Sequence, residues 1–270
     1  MKERFLNLGC GDRFDPNWTN IDFNSTSPHV QAHDLMQGLR FSDSHFDLVY
    51  LSHVLEHFSR SAGLKLLREC HRVLRSGGIV RVVVPDLEQI AKMYLTELQK
   101  VSSGETTDSL AYDWMTLELY DQTTRENFGG EMIELIRTAS SEGLEFIRKR
   151  IGGELDRIQD CERRRLLSGT KKTREKKASG LRRRLTRLVA GQEGIRAYDV
   201  GRFRLSGEMH LWMYDRFSLG RALKEAQFVT PRRVQPTESS IPNWSNFNLD
   251  TEPDGRIYKP DSLYMEATRP

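Results

Sequence analysis

Short apolar runs alternate with helical patterns in the N-terminal part of the chain. The runs predict strands at 4–8, 18–23, 30–35, 46–51 and 79–84, because short apolar segments bounded by polar or glycine residues are typical of buried parallel strands. The stretches 61–74 and 86–101 carry apolar residues at helical spacing, and Ser76, Gly77 and Gly78 are expected to end the first of these helices. This alternation predicts an α/β fold with a mostly parallel sheet.

Residues 102–200 interrupt the alternation with a long, charged insertion. Segments 110–119 and 132–158 have apolar residues at helical spacing, which predicts helices there. The earlier pattern returns near Gly201, with a helix expected at 218–226 and strands at 228–234 and 262–267. We therefore expect a core formed by residues 1–101 and 201–270, with 102–200 as a helical lid or arm.

Charge is concentrated in one part of that insertion. The net charge of the chain is only +3, too small to indicate nucleic-acid binding by itself, but residues 161–187 hold twelve Lys and Arg against two acids. This excess favours an anionic partner, which could be nucleic acid, a lipid-linked pyrophosphate or an anionic membrane surface. The alternative is a solvated helix face, the commonest role of a charge run.

The cysteines and the apolar runs indicate the cellular compartment in which the protein is expected. Cys10, Cys70 and Cys161 are widely spaced, which is neither a disulfide framework nor a Cys-x-x-Cys metal site and suits a reducing compartment. No apolar run approaches the roughly 18 residues of a membrane span. With little room for a leader before the first strand, we expect a cytoplasmic protein, with peripheral association at the inner membrane face as an open option.

The strongest candidate for a ligand site is the sequence Asn7-Leu8-Gly9-Cys10-Gly11, at the end of the first strand. Two glycines let the backbone turn sharply and approach a ligand closely, and ligands of open α/β sheets bind at this edge of the strands. Asp22 ends the second strand, where it could accept hydrogen bonds from both hydroxyls of a ribose. A simple tight turn is the alternative. Only ten residues separate Gly11 from Asp22, so the first crossover helix is expected to be shortened or lost.

Several features follow one another along the chain: Gly9-Cys10-Gly11, Asp22, Asp34, the run Val54-Leu55-Glu56-His57 and the strand at 79–84. This ordered series resembles class I S-adenosylmethionine (SAM) dependent methyltransferases. Within this family it is most similar to a small-molecule branch with the Val-Leu-Glu-His run, and to predicted methyltransferases of bacterial surface-polysaccharide gene clusters. The resemblance implies a Rossmann-like, seven-stranded, mostly parallel sheet whose last strand is antiparallel beside the sixth, with a large helical insertion after strand five.

The resemblance also implies a cofactor and its ligands. SAM would be bound, and S-adenosylhomocysteine released, at a site formed by Asn7, Gly9, Cys10, Gly11, Asp22, Asp34, Leu35 and Ser52, with Asp34 accepting a hydrogen bond from the adenine amino group. A cap or turn role is the alternative for Asp34. The chain departs from the family pattern at Asn7, where an acid is common, and at Arg13, where a third glycine is usual.

Two histidines are candidate catalytic residues. The family fold places the end of strand four beside the reactive methyl, so His53 could position or deprotonate the acceptor; packing on the adenosine is the alternative. His210 precedes Trp212, Met213 and Tyr214 where the core resumes, and we expect it either to contact substrate or to be merely packed.

Glu56 and His57 raise the question of a metal. The spacing of His53, Glu56 and His57 matches an inverted zinc-protease motif, but these residues follow a strand end rather than lie within a long helix. Some related methyltransferases hold a divalent ion with a Glu and a His of this turn and a distant His, which would here be His210. We instead expect a structural hydrogen-bonded pair of Glu56 and His57, and no metal site.

These features together predict a SAM-dependent methyltransferase that acts on a hydroxyl or amine of a carbohydrate, glycan or related small molecule. Nucleic acid is the rival substrate, suggested by residues 161–187. Against it, Ser52-His53-Val54-Leu55 stands where many base-modifying enzymes carry an Asn/Asp-Pro-Pro-aromatic tetrapeptide. A non-catalytic module of a glycan-synthesis complex is the third alternative, because Asn7 and Arg13 depart from the family pattern.

Overall fold

A computed structural model describes residues 4–25, 27–167 and 176–270. Seven strands of this described part form one sheet in the order β3-β2-β1-β4-β5-β7-β6. The first five strands pair with one another in parallel, and β7 is antiparallel to both β5 and β6. The predicted α/β fold and the antiparallel last strand beside the sixth are confirmed. The strands are β1 (Phe5–Leu8), β2 (Thr19–Asp22), β3 (Val30–Ala32), β4 (Phe46–Ser52), β5 (Leu74–Pro85), β6 (Val229–Arg233) and β7 (Ser262–Thr268).

Most of the helices lie between β5 and β6 in the sequence. Among the described residues, no helix has both the length and the apolar character of a membrane span. Of the basic segment 161–187, residues 168–175 lie outside the described residues. The helices are α1 (Arg60–Val73), α2 (Leu87–Ser103), α3 (Leu110–Thr124), α4 (Gly130–Thr138), α5 (Ser141–Ile151), α6 (Glu154–Leu167), α7 (Lys176–Arg204) and α8 (Arg216–Glu225).

The chain divides into two compact units. The first comprises Met1–Thr96, Arg150–Gly152 and His210–Pro270 and contains the sheet. The second, Glu97–Lys149 and Gly153–Met209, is helical, and its buried side chains include Trp114 and Ile147.

The sheet has a different cover on each face. On one face, α1 and α8 contribute buried apolar side chains such as Leu67 and Leu219, as expected of amphipathic helices. On the other face there is an aromatic cluster that includes Trp18, Tyr50 and Trp244. Residues 9–18 contain no helix, which confirms the prediction that the first crossover helix is shortened or lost.

A buried arginine anchors the segment 235–250 to the sheet. Arg81 of β5 donates from Nε to Asp250 (2.7 Å) and from Nη1 to Glu266 (2.7 Å) and the carbonyl of Glu238. Its Nη2 donates to the carbonyls of Gln235 and Pro236. All five N–H donors of the guanidinium are therefore satisfied, which is the condition under which a buried charge is tolerated.

Two predicted boundaries are wrong. Ser76, Gly77 and Gly78 do not cap α1, which ends at Val73; they lie inside β5, where the pairing with β4 shifts and Gly77 (φ +78°) allows the irregularity. The continuous helical pattern at 132–158 is divided among three helices. Extended backbone at Ala139 ends α4, and Gly152 (φ +55°) lies between α5 and α6.

Candidate cofactor and catalytic site

The turn after β1 carries two glycines in the left-handed region, Gly9 (φ +63°) and Gly11 (φ +53°). A Cβ at Gly9 would lie 2.3 Å from Cγ2 of Val54, so this position is closed by packing against the segment after β4. A Cβ at Gly11 would meet no atom within 4 Å. Gly11 thus leaves open space at the edge where ligands of parallel sheets bind.

Asp22 lies beside this turn, as the sequence predicts. Parallel pairing of Leu8 with Ile21 brings the ends of β1 and β2 to the same edge. The backbone amide of Gly11 donates to Oδ2 of Asp22 at 2.8 Å, and the amide of Asn24 donates to Oδ1 at 3.3 Å. The carboxylate is therefore held at the tip of β2, next to the glycine turn.

Asn7, Cys10 and Arg13 support the turn. The buried Asn7 donates from Nδ2 to the carbonyl of Arg13 at 3.2 Å. Burial, with the nearby charge of Asp22, raises the pKa of the Cys10 thiol to about 12, so Cys10 is an apolar packing group rather than a nucleophile.

Arg13 occupies the position at which the family pattern has a third glycine. Its side chain contacts the C-terminal part of the chain. Its guanidinium donates to the carbonyls of Leu249 (3.0 Å) and Thr251 and to Glu252 (3.2 Å). It also lies 3.8 Å from the centroid of the Tyr258 ring. Arg13 therefore ties the glycine turn to the segment 249–258, a function that no sequence pattern indicated.

Asp34 occupies a cap position. Its Oδ1 accepts from the amide of Met36 at 2.9 Å, which makes it the N-cap of the short 3-10 turn Leu35–Gln37 that follows β3. Leu35 packs against the core that underlies one face of the sheet. The adenine contact of Asp34 and Leu35 stays a prediction.

His53 follows Ser52, the last residue of β4, and has a left-handed backbone (φ +53°). Such a conformation is strained for a residue other than glycine and is concentrated at functional sites. His53 Nε2 lies 2.8 Å from Oγ of Ser262, and Nδ1 lies 3.3 Å from Oε1 of Glu56. Both ring nitrogens thus face polar groups, while 16% of the side chain remains exposed.

Ser262 was not identified from the sequence. It is the first residue of β7, and it pairs with Pro85 at the end of β5. Because β7 runs antiparallel, its start lies at the edge where the parallel strands end. The antiparallel direction of β7 was predicted, and it is the feature from which the position of Ser262 could have been inferred.

Glu56 is fully buried in the 3-10 turn Leu55–His57, and burial raises its pKa to about 8. Neither of its carboxylate oxygens accepts a hydrogen bond from the described residues. The expected hydrogen-bonded pair of Glu56 and His57 is therefore wrong. The carboxylate instead faces His53, at the ion-pair distance given above.

His210 reaches the same place from far along the chain. The backbone carbonyl of Glu56 accepts from the amides of Leu211 (2.7 Å) and Trp212 (3.2 Å). The ring of His210, 4% exposed, lies edge-to-face on that of His57 with centroids 4.8 Å apart. One ligand atom each of Glu56, His57 and His210 lie within 4.8 Å of one another. The structure thus gathers His53, Glu56, His57 and His210; a catalytic role for His53 and His210 stays a prediction.

Comparison with known proteins gives a family match for part of the chain. Residues 15–82 match the family model described as a methyltransferase domain. No curated protein matches the chain significantly.

Similar solved structures include two SAM-dependent methyltransferases. The one from Archaeoglobus fulgidus is 20% identical, with 34% of this chain and 51% of that chain covered and a TM-score of 0.29. The one from Mesorhizobium loti is 20% identical over 32% and 48%, with a TM-score of 0.24. The YcgJ protein of Bacillus subtilis is 18% identical over 53% and 81%, with a TM-score of 0.29.

The match spans about half the length of the Archaeoglobus and Mesorhizobium proteins. The family model covers residues 15–82, and in the sheet an antiparallel β7 lies between β5 and β6. Residues 15–82 of this chain are therefore similar to a methyltransferase domain, within an α/β fold.

Proposed function

We propose that this protein transfers the methyl group of SAM to a hydroxyl, or an amine, of a carbohydrate, glycan or related small molecule. One observation carries the proposal: the glycine turn after β1, the carboxylate of Asp22 after β2 and His53 after β4 all lie at the carboxyl edge of neighbouring parallel strands. This is where the fold class binds its ligands.

The cofactor would be held by groups that already have fixed positions. Asp22 would accept the ribose hydroxyls, since Gly11 and Asn24 orient its carboxylate. Gly11, with no Cβ, would admit the cofactor to the open space beside it. Asn7 and Cys10 would support the turn, whereas Asp34, Leu35 and Ser52 would line the site.

SAM supplies a methyl group already activated by a sulfonium, so this chain has to align the acceptor and remove its proton. His53 would take that proton. Its Nδ1 faces Glu56, which leaves Nε2, now beside Ser262 Oγ, to take the proton of the acceptor hydroxyl as the oxygen bonds to the methyl carbon and the carbon–sulfur bond breaks.

An exposed aromatic residue supports a carbohydrate acceptor. Trp212 is 38% exposed, and its amide is bonded to the carbonyl of Glu56. The Arg60 guanidinium lies 5.8 Å from the centroid of its ring. An exposed indole face of this kind can stack on a sugar ring. The resemblance of the sequence to polysaccharide-cluster methyltransferases points to the same class of acceptor.

The rival substrate is nucleic acid, and the third alternative is a non-catalytic module. The protein should be incubated with SAM carrying a tritiated methyl group and with separate glycan, lipid-linked sugar and RNA fractions of the host. Label in a sugar fraction, lost in a His53→Ala variant, is the expected result. Label in the RNA fraction alone would indicate that the acceptor is nucleic acid rather than a glycan. Absence of label from every fraction, with intact cofactor binding, would favour the non-catalytic module.

A further inference from the structure

Three large apolar side chains are exposed on one short segment of the sheet-containing unit. Leu211 is 50% exposed, Trp212 38% and Phe217 73%. Single exposed apolar residues are ordinary on a protein surface, whereas a group of large ones indicates an interaction site. The segment 211–217 is therefore a candidate for contact with a partner.

This segment crosses the carboxyl edge of the sheet. The amides of Leu211 and Trp212 donate to the carbonyl of Glu56, in the 3-10 turn after β4. Further along, the carbonyl of Tyr214 accepts from the amide of Leu87, the first residue of α2 after β5, at 2.9 Å. Helix α8 begins directly after the segment. The exposed apolar side chains thus follow the edge at which the proposed cofactor site lies.

Two arginines accompany the exposed rings. The guanidinium of Arg60, the first residue of α1, lies 5.8 Å from the centroid of the Trp212 ring, and that of Arg221 lies 5.5 Å from the centroid of the Phe217 ring. Both arginines are exposed, and neither forms an ion pair with a described residue. Contact with a ring leaves the N–H donors of a guanidinium available to an anion.

The combination of apolar and cationic side chains fits an anionic lipid surface. Trp, Phe and Leu side chains enter the boundary between headgroups and acyl chains, while arginine pairs with lipid phosphate. A nucleic acid would also pair with arginine, but it offers no apolar interior to Leu211. A third exposed arginine, Arg216, adds less charge, because it forms an ion pair with Glu88 at 2.8 Å.

We propose that these residues form an edge patch that docks the protein on an anionic lipid membrane. The edge patch comprises Leu211, Trp212, Phe217, Arg60, Arg216 and Arg221. The sequence indicated an anionic surface only for residues 161–187, which lie in a different part of the chain. With the edge patch on a membrane, the carboxyl edge of the sheet would face the headgroups, and a lipid-linked sugar would reach His53 from there. That last consequence rests on the proposed function, whereas docking does not.

The fluorescence of the full chain can report on the edge patch directly. The chain has four tryptophans, of which Trp18, Trp114 and Trp244 are at most 7% exposed, so Trp212 is the one that a membrane can reach. Vesicles of phosphatidylcholine and phosphatidylglycerol with brominated acyl chains should quench part of the emission, and less so as salt is added. Vesicles of brominated phosphatidylcholine alone should not, and Trp212→Phe should remove the quenched component.

Cosedimentation with the same anionic vesicles measures the contribution of the other residues. Phe217→Ser and Arg221→Glu should each weaken binding at least about tenfold. Val229→Ser and Arg40→Glu are the matched controls and should bind like the wild type. Val229 is 42% exposed at the start of β6. Arg40 is exposed, and the carbonyls of its two neighbours accept from Arg72 near the end of α1.

Phe217 and Arg221 are exposed, so their variants should fold, and circular dichroism checks each protein. Three results would overturn the proposal: failure of the intact protein to bind anionic vesicles, vesicle binding without quenching of Trp212, or equal vesicle binding by the wild type and folded Phe217→Ser. Binding of RNA instead of vesicles, weakened in Arg221→Glu, would assign the surface to nucleic acid and also overturn it. S-adenosylhomocysteine binding is measured on the same samples. Failure of vesicle binding alone refutes only the edge patch, and absence of nucleoside binding alone refutes only the proposed function.

Discussion

The backbone amide of Gly11 donates a 2.8 Å hydrogen bond to the carboxylate of Asp22. This bond joins the turn after β1 to the end of β2, with no helix between the two strands. The two groups proposed to bind the cofactor, the glycine turn and the carboxylate of Asp22, are thus joined by a hydrogen bond. Asp22 is oriented by the turn, and the turn is held on its other side by Arg13 and the segment 249–258.

The two glycines of the turn should respond differently to substitution. Gly9→Ala should mainly destabilise the fold, because its Cβ would overlap Val54. Gly11→Ala should mainly weaken cofactor binding, because its Cβ would enter open space. Both glycines have a left-handed backbone, which costs an alanine about 1–2 kcal/mol. Because this cost is common to the two variants, each serves as the control for the other. Thermal unfolding and calorimetry with S-adenosylhomocysteine measure the two effects. Similar cofactor loss in both folded variants would contradict this division.

His53→Ala should lower turnover by about 10²–10⁴-fold, the usual contribution of general acid–base catalysis. S-adenosylhomocysteine affinity should stay close to that of the wild type, because His53 is not among the residues proposed to bind the nucleoside. Single-turnover kinetics and calorimetry separate the two quantities. Ser262→Ala is the matched control, since it removes the partner of Nε2 but leaves the imidazole. Equal losses of turnover and affinity in His53→Ala would make it a packing residue.

Glu56 should make the protein less stable as pH rises. Burial raises its folded-state pKa from 4.5 to about 8, so between these values the folded state holds a proton that the unfolded state has released. The free energy of unfolding should therefore fall with rising pH, with a contribution from this group of up to about 1.4 kcal/mol per pH unit. Urea unfolding at several pH values measures the slope.

Glu56→Gln provides the comparison, because its amide does not titrate. The decrease in stability between about pH 4.5 and about pH 8 should be smaller in this variant, whereas an identical slope in both proteins would show that Glu56 is ionised in the folded state.

Arg81→Met should destabilise the protein by about 3–5 kcal/mol, because it leaves the buried carboxylates of Asp250 and Glu266 without their shared partner. Arg75→Ala in the same strand removes the ion pair between the exposed Arg75 and Asp47 and should cost less, about 1 kcal/mol. Chemical denaturation gives both values. A change in Arg81→Met no larger than that in Arg75→Ala would show that the segment 235–250 is anchored by packing alone.

The strands and the ligand edge could be predicted from sequence because their causes are local. Short apolar runs identify buried strands, and glycines that follow one of them identify a turn open to a ligand. Parallel pairing then brings Asp22 to the same edge without further information. The direction of the last strand came from the family resemblance instead.

What could not be predicted depends on contacts between distant residues. The chain gives no local sign that Arg13 stacks on Tyr258, or that Arg81 inside an apolar strand meets Asp250. Glu56 and His210 were each singled out, but their meeting depends on main-chain bonds between 56 and 211–212. The bulge in β5 was missed because Gly77 has the same local signature as a helix cap.

We expect the Gly9–Gly11 turn and Asp22 to bind the adenosyl cofactor. Calorimetry with S-adenosylhomocysteine tests it most directly, with Asp22→Ala and, as control, Asp254→Ala, an exposed acid paired with Arg256. We predict one binding site per chain, a loss of about 1–3 kcal/mol in Asp22→Ala and none in Asp254→Ala. Absence of binding to the wild type, or equal affinity of the wild type and folded Asp22→Ala, would contradict the claim.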